Sequence, residues 1–171
     1  DLLAHPSFAY LAPQAAGGSW YPFGFMSPIE HNEPYLSSAL DTIAGLLRNL
    51  EEAGVGAERT MLLGFSQGAC LALEFAARHA RRYGGVAGLS GGLIGPEGTS
   101  WDWPGSLAGT PILLACSDQD PHIPRDRVLE SADVLRRMGG NVTARLYPGL
   151  GHTINEDELR RVRAMMDELA P

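Results

Sequence analysis

The stretch Gly64-Phe65-Ser66-Gln67-Gly68 decides the fold of this chain. It follows the apolar run Thr60–Leu63 and opens a helix-like run over residues 69–79. A Gly-x-Ser-x-Gly sequence between a strand and a helix is typical of a nucleophile elbow, a tight turn that holds a serine hydroxyl above the edge of a sheet. We expect both glycines to be needed because a side chain at either position would collide with the neighbouring strand or helix. The alternative, an ordinary glycine-rich turn, explains the pattern less well in this context.

A carboxylate and a histidine follow two later strand-like segments. The apolar run Ile112–Cys116 predicts a buried strand and leads into a loop that contains Asp118 and Asp120. Residues 142–147 alternate apolar and polar side chains, and His152 comes shortly after them. Since this order (serine, acid, histidine) is that of elbow-type hydrolytic sites, we expect the three groups to meet at one edge of a parallel sheet.

The chemistry explains why these residue types are required. A serine hydroxyl is a weak nucleophile, so a base such as His152 must take its proton, and a carboxylate must orient the imidazole. We favour Asp120 as that carboxylate; the alternative is that Asp118 has this role and Asp120 caps the next helix. The other histidines do not follow a strand in the right order and are interpreted as surface or supporting residues: His5, His31, His79 and His122.

These motifs resemble a known family. The segments Gly64–Ala69, Asp120–Pro124 and Gly151-His152 are similar to the signatures of the carboxylesterase/phospholipase family of α/β-hydrolases, which includes small bacterial carboxylesterases and acyl-protein thioesterases. Leu11–Gln14 and Trp20–Phe23 resemble that family's early strand and the loop beside its acyl pocket. The resemblance implies a catalytic triad of Ser66, Asp120 and His152, with the Gln67 N–H as an oxyanion donor. It also implies one α/β domain over residues 1–171: a three-layer sandwich with a mostly parallel sheet between helices.

The chain departs from the family at its N-terminus. Family members carry, before the segment that matches residues 1–20, a strand that ends in a His-Gly loop, and this loop supplies the second oxyanion donor. The present sequence starts at Asp1, so the domain is N-terminally incomplete relative to the family. The strand that matches Phe8–Leu11 and the elbow strand must then pair directly or leave backbone unpaired. We expect either part of a longer protein, or a truncated form with altered pairing or with self-association through the exposed edge.

The remaining sequence predicts alternating strands and helices. We expect five parallel strands, including one at Phe8–Ala12 and one at Gly85–Leu89. Apolar residues at helical spacing predict three further helices: one over 36–50 that ends at Gly54, one over 128–135 that ends at Gly139-Gly140, and a last one over 159–169, capped by Thr153 or Asn155.

Composition limits the partners and the location. The net charge of −7 argues against binding of nucleic acid. No apolar run approaches the roughly 20 residues of a membrane span, and no signal peptide is visible, so we expect a cytoplasmic protein. All 13 basic residues are arginine, a bias typical of GC-rich bacterial genomes. Cys70 and Cys116 lack the spacing of a metal or redox motif and are expected to be core thiols, and we expect no metal or other cofactor.

The expected substrate is a small neutral ester. Aromatic and apolar residues on loops at the active end are the candidates to line a pocket: Trp20, Phe23, Phe65 and Leu93, with Tyr21, Phe25 and Met26 beside them. We therefore predict a serine carboxylesterase for short- to medium-chain esters. The alternatives are a thioesterase or lysophospholipase with the same triad, or a catalytically impaired hydrolase fold that acts as a binding or assembly module.

Overall fold

A four-stranded parallel sheet forms the centre of the protein. The computed structural model describes residues 2–170. The strands are β1 (Met61–Phe65), β2 (Gly85–Leu89), β3 (Pro111–Ser117) and β4 (Asn141–Tyr147), and they lie in the sheet in their chain order. Because all four run in the same direction, the residues that follow them lie at one edge of the sheet.

Among the described residues, five α-helices precede, connect or follow the strands. They are α1 (Ile29–Asn32), α2 (Tyr35–Glu52), α3 (Gln67–Arg78), α4 (Arg125–Arg137) and α5 (Glu156–Leu169). The predicted stop signals act as expected, since Gly54 and Gly139 have φ values of 85° and 82°, a conformation that glycine adopts without strain. Of the two predicted caps of the last helix, Asn155 is the one used: its side chain and that of Glu158 form a reciprocal capping box.

The core lies on both faces of the sheet. Alternate residues of β3 point in opposite directions, so Ile112, Leu114 and Cys116 join the larger core formed with α2, α3 and α4. Leu113 and Ala115 join a smaller core with Val162 and Met166 of α5. The predicted three-layer α/β sandwich is therefore confirmed.

The predicted first strand is wrong. Residues 8–12 have no regular secondary structure. Phe8 packs on the α5 side of the sheet, whereas Tyr10 and Leu11 are 56% and 59% exposed. A strand needs a hydrogen-bonding neighbour, and these residues do not pair with β1. Within residues 2–170, β1 is consequently an edge strand, which leaves Leu63 44% exposed.

No helix within residues 2–170 has the length and apolar character needed to cross a membrane.

Candidate active site

The turn at Ser66 has the strained geometry that the elbow pattern predicts. Ser66 lies between the end of β1 and the start of α3, with φ 54° and ψ −120°, a region that non-glycine residues rarely occupy. Its backbone is held on both sides: its N–H donates to the Leu89 carbonyl over 2.9 Å, and its carbonyl accepts from the Cys70 N–H over 3.1 Å. These hydrogen bonds hold the conformation that projects the hydroxyl from the sheet.

The two glycines of the motif have different roles. A Cβ at Gly64 would lie 2.1 Å from the carbonyl oxygen of Gly68, so the close approach of strand and helix requires glycine at 64. A Cβ at Gly68 would meet no atom within 4 Å, and Gly68 has no positive φ. The prediction that a side chain at position 68 would collide is therefore wrong for the described part of the chain.

The imidazole of His152 lies within hydrogen-bonding distance of both Ser66 and Asp120. Ser66 Oγ is 2.9 Å from His152 Nε2, and His152 Nδ1 is 2.8 Å from Asp120 Oδ2. Because an ionised carboxylate only accepts hydrogen bonds, Nδ1 carries the imidazole proton and Nε2 is free to accept from the serine hydroxyl. This is the tautomer that a general base requires.

Asp120 is held in place by its own loop. The side chain is fully buried, and Oδ1 accepts hydrogen bonds from the N–H groups of His122 and Ile123 over 2.8 and 3.1 Å. Burial by itself would raise the pKa of the Asp120 carboxyl. The hydrogen bonds from His152 and from these two amides outweigh that effect and lower its pKa below the ordinary value. The group therefore remains a carboxylate that can stabilise an imidazolium.

The second candidate acid, Asp118, forms hydrogen bonds with the backbone of the neighbouring segment and none with the imidazole of His152. Its Oδ1 accepts from the N–H of Gly149 over 2.8 Å, and its own N–H donates to the Tyr147 carbonyl. Asp118 thus joins the loop after β3 to the loop that carries His152. Of the two acids, Asp120 is the one that contacts the histidine.

Two rings flank His152. Phe65 lies at 4.9 Å between ring centroids and His122 at 4.8 Å, the latter in an edge-on arrangement. His122 is thus next to the base, but among the described histidines it is His152 that forms the hydrogen bond with Ser66. The other three histidines are elsewhere: His5 pairs with Asp167, His31 lies beside Phe23, and His79 stacks on Phe75.

The backbone of Gln67 offers an anion-binding donor. Gln67 is the first residue of α3, and the N–H groups of a first helical turn have no acceptor within the helix. The partial positive charge of a helix N-terminus adds to the attraction for a developing oxyanion beside Ser66.

The side chain of Gln67 has a further role that the motif did not indicate. Its Oε1 accepts from the Trp20 N–H over 2.8 Å, and its Nε2 donates to the Tyr21 carbonyl over 2.9 Å. The elbow and the aromatic loop over residues 19–23 are thereby joined. Only the spatial contact reveals this link, because the two segments are 46 residues apart.

The candidate pocket residues differ in exposure. Phe65 is 39% exposed beside His152, Phe23 is 56% exposed, and Trp20 is partly buried. Leu93 is fully buried in the core, so it has no surface for a substrate, and the expectation that it lines a pocket is not met. Tyr21 and Phe25 are also core residues.

Two side chains form hydrogen bonds next to the triad that the sequence did not predict. Ser117 Oγ accepts from the N–H of Gly151, the residue before His152, over 3.0 Å. The thiol of Cys116 lies 3.6 Å from Asp120 Oδ2. The sequence placed Cys116 in the core, which is correct, but nothing in a buried apolar run shows which group a thiol will contact.

Fold and site together define an α/β-hydrolase-type protein with a serine–histidine–aspartate arrangement at the carboxyl edge of its sheet. Residues 6–169 match the model of the phospholipase/carboxylesterase family, and the chain belongs to that family. Acyl-protein thioesterase 1 of Gibberella zeae is 31% identical over 129 residues, which are 74% of this chain and 54% of that protein. The chain thus spans about half the length of this relative. Carboxylesterase SOBER1 of Arabidopsis thaliana is 26% identical over 151 residues, 85% of this chain and 65% of that protein.

A solved structure agrees with this assignment. The phospholipase/carboxylesterase from Dyadobacter fermentans superposes with a TM-score of 0.87 and 42% sequence identity. The match covers 90% of this chain and 74% of that one. The relatives named for an activity are hydrolases of esters or thioesters, as their names state.

Proposed function

We propose that the protein is a serine carboxylesterase that hydrolyses short- to medium-chain esters through an acyl-enzyme. The observation that carries the proposal is the unbroken contact from Ser66 Oγ to His152 Nε2 at 2.9 Å and from His152 Nδ1 to Asp120 at 2.8 Å. A nucleophile, a base and an orienting carboxylate in hydrogen-bonding series are the requirements for attack on an acyl carbon.

The reaction follows from these positions. Ser66 Oγ forms a bond to the ester carbonyl carbon while His152 Nε2 takes the hydroxyl proton, and the carbonyl oxygen becomes an oxyanion at the Gln67 N–H. As the tetrahedral intermediate collapses, the bond to the alkoxy oxygen breaks and the imidazolium returns the proton to the departing alcohol. Water then repeats the sequence on the acyl-serine: His152 takes a proton from water, the hydroxide adds to the carbonyl carbon, and the proton returns to Ser66 as the acid leaves.

The surroundings of the triad favour a neutral acyl group. Aromatic rings, Phe65 and the partly buried Trp20, lie on the elements that meet at Ser66. The nearest charged group, Asp120, is fully buried and paired with His152, so it would not bind a charged substrate. An apolar acyl chain gains free energy by covering exposed aromatic surface, about 25 cal/mol for each Å² removed from water.

A thioester is the second candidate substrate. The name of the Gibberella zeae relative, acyl-protein thioesterase 1, favours it, and the same attack applies because a thiolate leaves in place of an alkoxide. Rates on an ester and a thioester with the same acyl chain distinguish the two. A higher kcat/KM for the thioester at every chain length would replace the carboxylesterase proposal.

The decisive experiment combines turnover and labelling. We expect purified protein to hydrolyse p-nitrophenyl acetate and to bind a fluorophosphonate covalently at Ser66, located by mass spectrometry of the peptide. Ser66→Ala should abolish both, whereas Ser37→Ala, which removes an exposed hydroxyl of α2, should change neither. A folded wild-type protein that neither labels nor turns over would instead indicate the impaired module that binds without catalysis.

A further inference from the structure

The thiol of Cys116 is the only side-chain donor besides His152 that contacts the carboxylate of Asp120 within residues 2–170. The sulfur lies 3.6 Å from Oδ2, a distance suited to an S–H···O hydrogen bond. Oδ2 is also the oxygen that accepts from His152 Nδ1, whereas Oδ1 is occupied by the two backbone amides of its loop. Thiol and imidazole therefore share one carboxylate oxygen.

Burial keeps Cys116 in the form that donates. Cys116 is fully buried, and burial raises the pKa of its thiol to about 12, an effect to which the negative charge of Asp120 adds. The neighbouring hydroxyl of Ser90 acts in the opposite direction and lowers the pKa of the thiol. At neutral pH the sulfur carries its proton, and the carboxylate is the acceptor beside it.

A second polar group, the hydroxyl of Ser90, lies beside the thiol. The Ser90 hydroxyl is fully buried directly after β2, and it has no hydrogen-bond partner in the described part of the chain. Its neighbour is the sulfur of Cys116. Because the Ser90 hydroxyl forms no hydrogen bond with this sulfur, Oδ2 of Asp120 is the acceptor for the thiol.

We infer that Cys116 is a positioning residue for the triad: its thiol holds Oδ2 of Asp120 and withdraws part of the negative charge that faces His152. The expected effect of Cys116 on turnover rests on the proposed hydrolase function. The expected effect on the protonation of His152 does not. Two effects follow. The carboxyl cannot rotate away from the imidazole, and the imidazolium is stabilised less strongly than it would be by an unshared carboxylate oxygen.

The test measures the protonation of His152 directly. The imidazole of His152, assigned with His152→Asn, is titrated by NMR in wild type, Cys116→Ala and Cys116→Ser. Without the thiol, the carboxylate becomes more negative at Oδ2 and holds the imidazolium more tightly. We expect the His152 midpoint in Cys116→Ala to move to higher pH by about half a unit, the size of one modest hydrogen bond. Cys116→Ser retains a donor and should stay near the wild type.

Cys70→Ala is the matched control, because it removes the other buried thiol, also from beside the elbow but without contact to Asp120. The remaining titratable groups near His152 and Cys116, His122 and Glu158, are unchanged in all four proteins. A midpoint that does not move in Cys116→Ala, or that moves equally in Cys70→Ala, overturns the inference. If Cys116→Ala does not fold, Cys116→Val replaces it.

Turnover then separates this inference from the proposed function. If the enzyme is active, the acidic limb of its kcat/KM profile should shift with the NMR midpoint while KM changes little. If no variant hydrolyses esters but the midpoint shifts as described, the positioning role stands and the hydrolase proposal fails.

Discussion

The backbone N–H of Trp20 donates a hydrogen bond to the side-chain oxygen of Gln67 over 2.8 Å. Gln67 is also the residue whose backbone N–H is the proposed oxyanion donor. Gln67 thus combines a proposed role and an observed one: its main chain is the proposed oxyanion donor, and its side chain binds the aromatic loop. Since every substitution except proline keeps the backbone N–H, the two roles can be separated.

Loss of the Gln67 side chain should loosen the aromatic loop without removing the oxyanion donor. In Gln67→Leu, the Trp20 N–H and the Tyr21 carbonyl lose their partners, and each unsatisfied polar group costs about 1–3 kcal/mol if it stays buried. We expect faster hydrogen exchange at the Trp20 amide and a kcat/KM lower by about tenfold, as 1.4 kcal/mol implies. Gln119→Leu changes an exposed glutamine and serves as the control. Unchanged exchange at Trp20 would contradict the anchoring role.

Substitution of the two loop aspartates should have different effects on activity. In Asp120→Asn, the imidazole can no longer donate Nδ1–H to a carboxylate, and the neutral amide favours the wrong tautomer; a loss of about 10⁴-fold in kcat is expected for such a change. Asp118→Asn keeps an acceptor for the Gly149 N–H and does not touch His152, so we expect less than about tenfold. Steady-state kinetics of the pair checks this. Equal losses would mean that Asp118 contacts the base in the working enzyme.

The two elbow glycines should differ in tolerance to a methyl group. Gly64→Ala places a Cβ 2.1 Å from backbone that cannot move without separating β1 from α3, so we expect the variant to unfold or to fold poorly. Gly68→Ala meets open space and lies in a helix, where alanine is preferred by about 1 kcal/mol. Thermal unfolding followed by circular dichroism measures both. A Gly64→Ala protein as stable as the wild type would contradict the close approach of strand and helix.

Stability should depend on the ionisation of Asp120. The pKa of its carboxyl is lower in the folded protein than in the unfolded chain, so this group stabilises the fold at every pH above its unfolded value. The contribution is lost as the pH falls through the lower, folded pKa. We expect the difference in unfolding free energy between wild type and Asp120→Asn to shrink as the pH falls below about 4, the unfolded value. Urea titrations at several pH values below 4 provide the measurement, and a difference that grows over this range would contradict the shift.

Much of the fold was predictable because its signals are local. The elbow pattern, the apolar runs and the glycine stops act within a few residues, and they placed β1 to β4 and α2 to α5 close to their observed bounds. The predicted strand at Phe8–Ala12 failed for the opposite reason. Its residues have strand-like character, but a strand exists only if another backbone pairs with it, and pairing is not a property of the segment.

The sequence alone determined that Ser66, a loop acid and His152 would lie at one edge of a parallel sheet, because the direction of the strands and the order of the motifs leave that edge as their common position. Only the tertiary structure decided that Asp120 rather than Asp118 reaches the imidazole, that Gln67 binds the aromatic loop, and that a buried thiol contacts the carboxylate. The atoms in these contacts are 2.8 to 3.6 Å apart. The order of the strands brings the residues near one another, but it does not orient their side chains. Side-chain rotation and loop geometry set those distances, and both depend on packing of the whole domain.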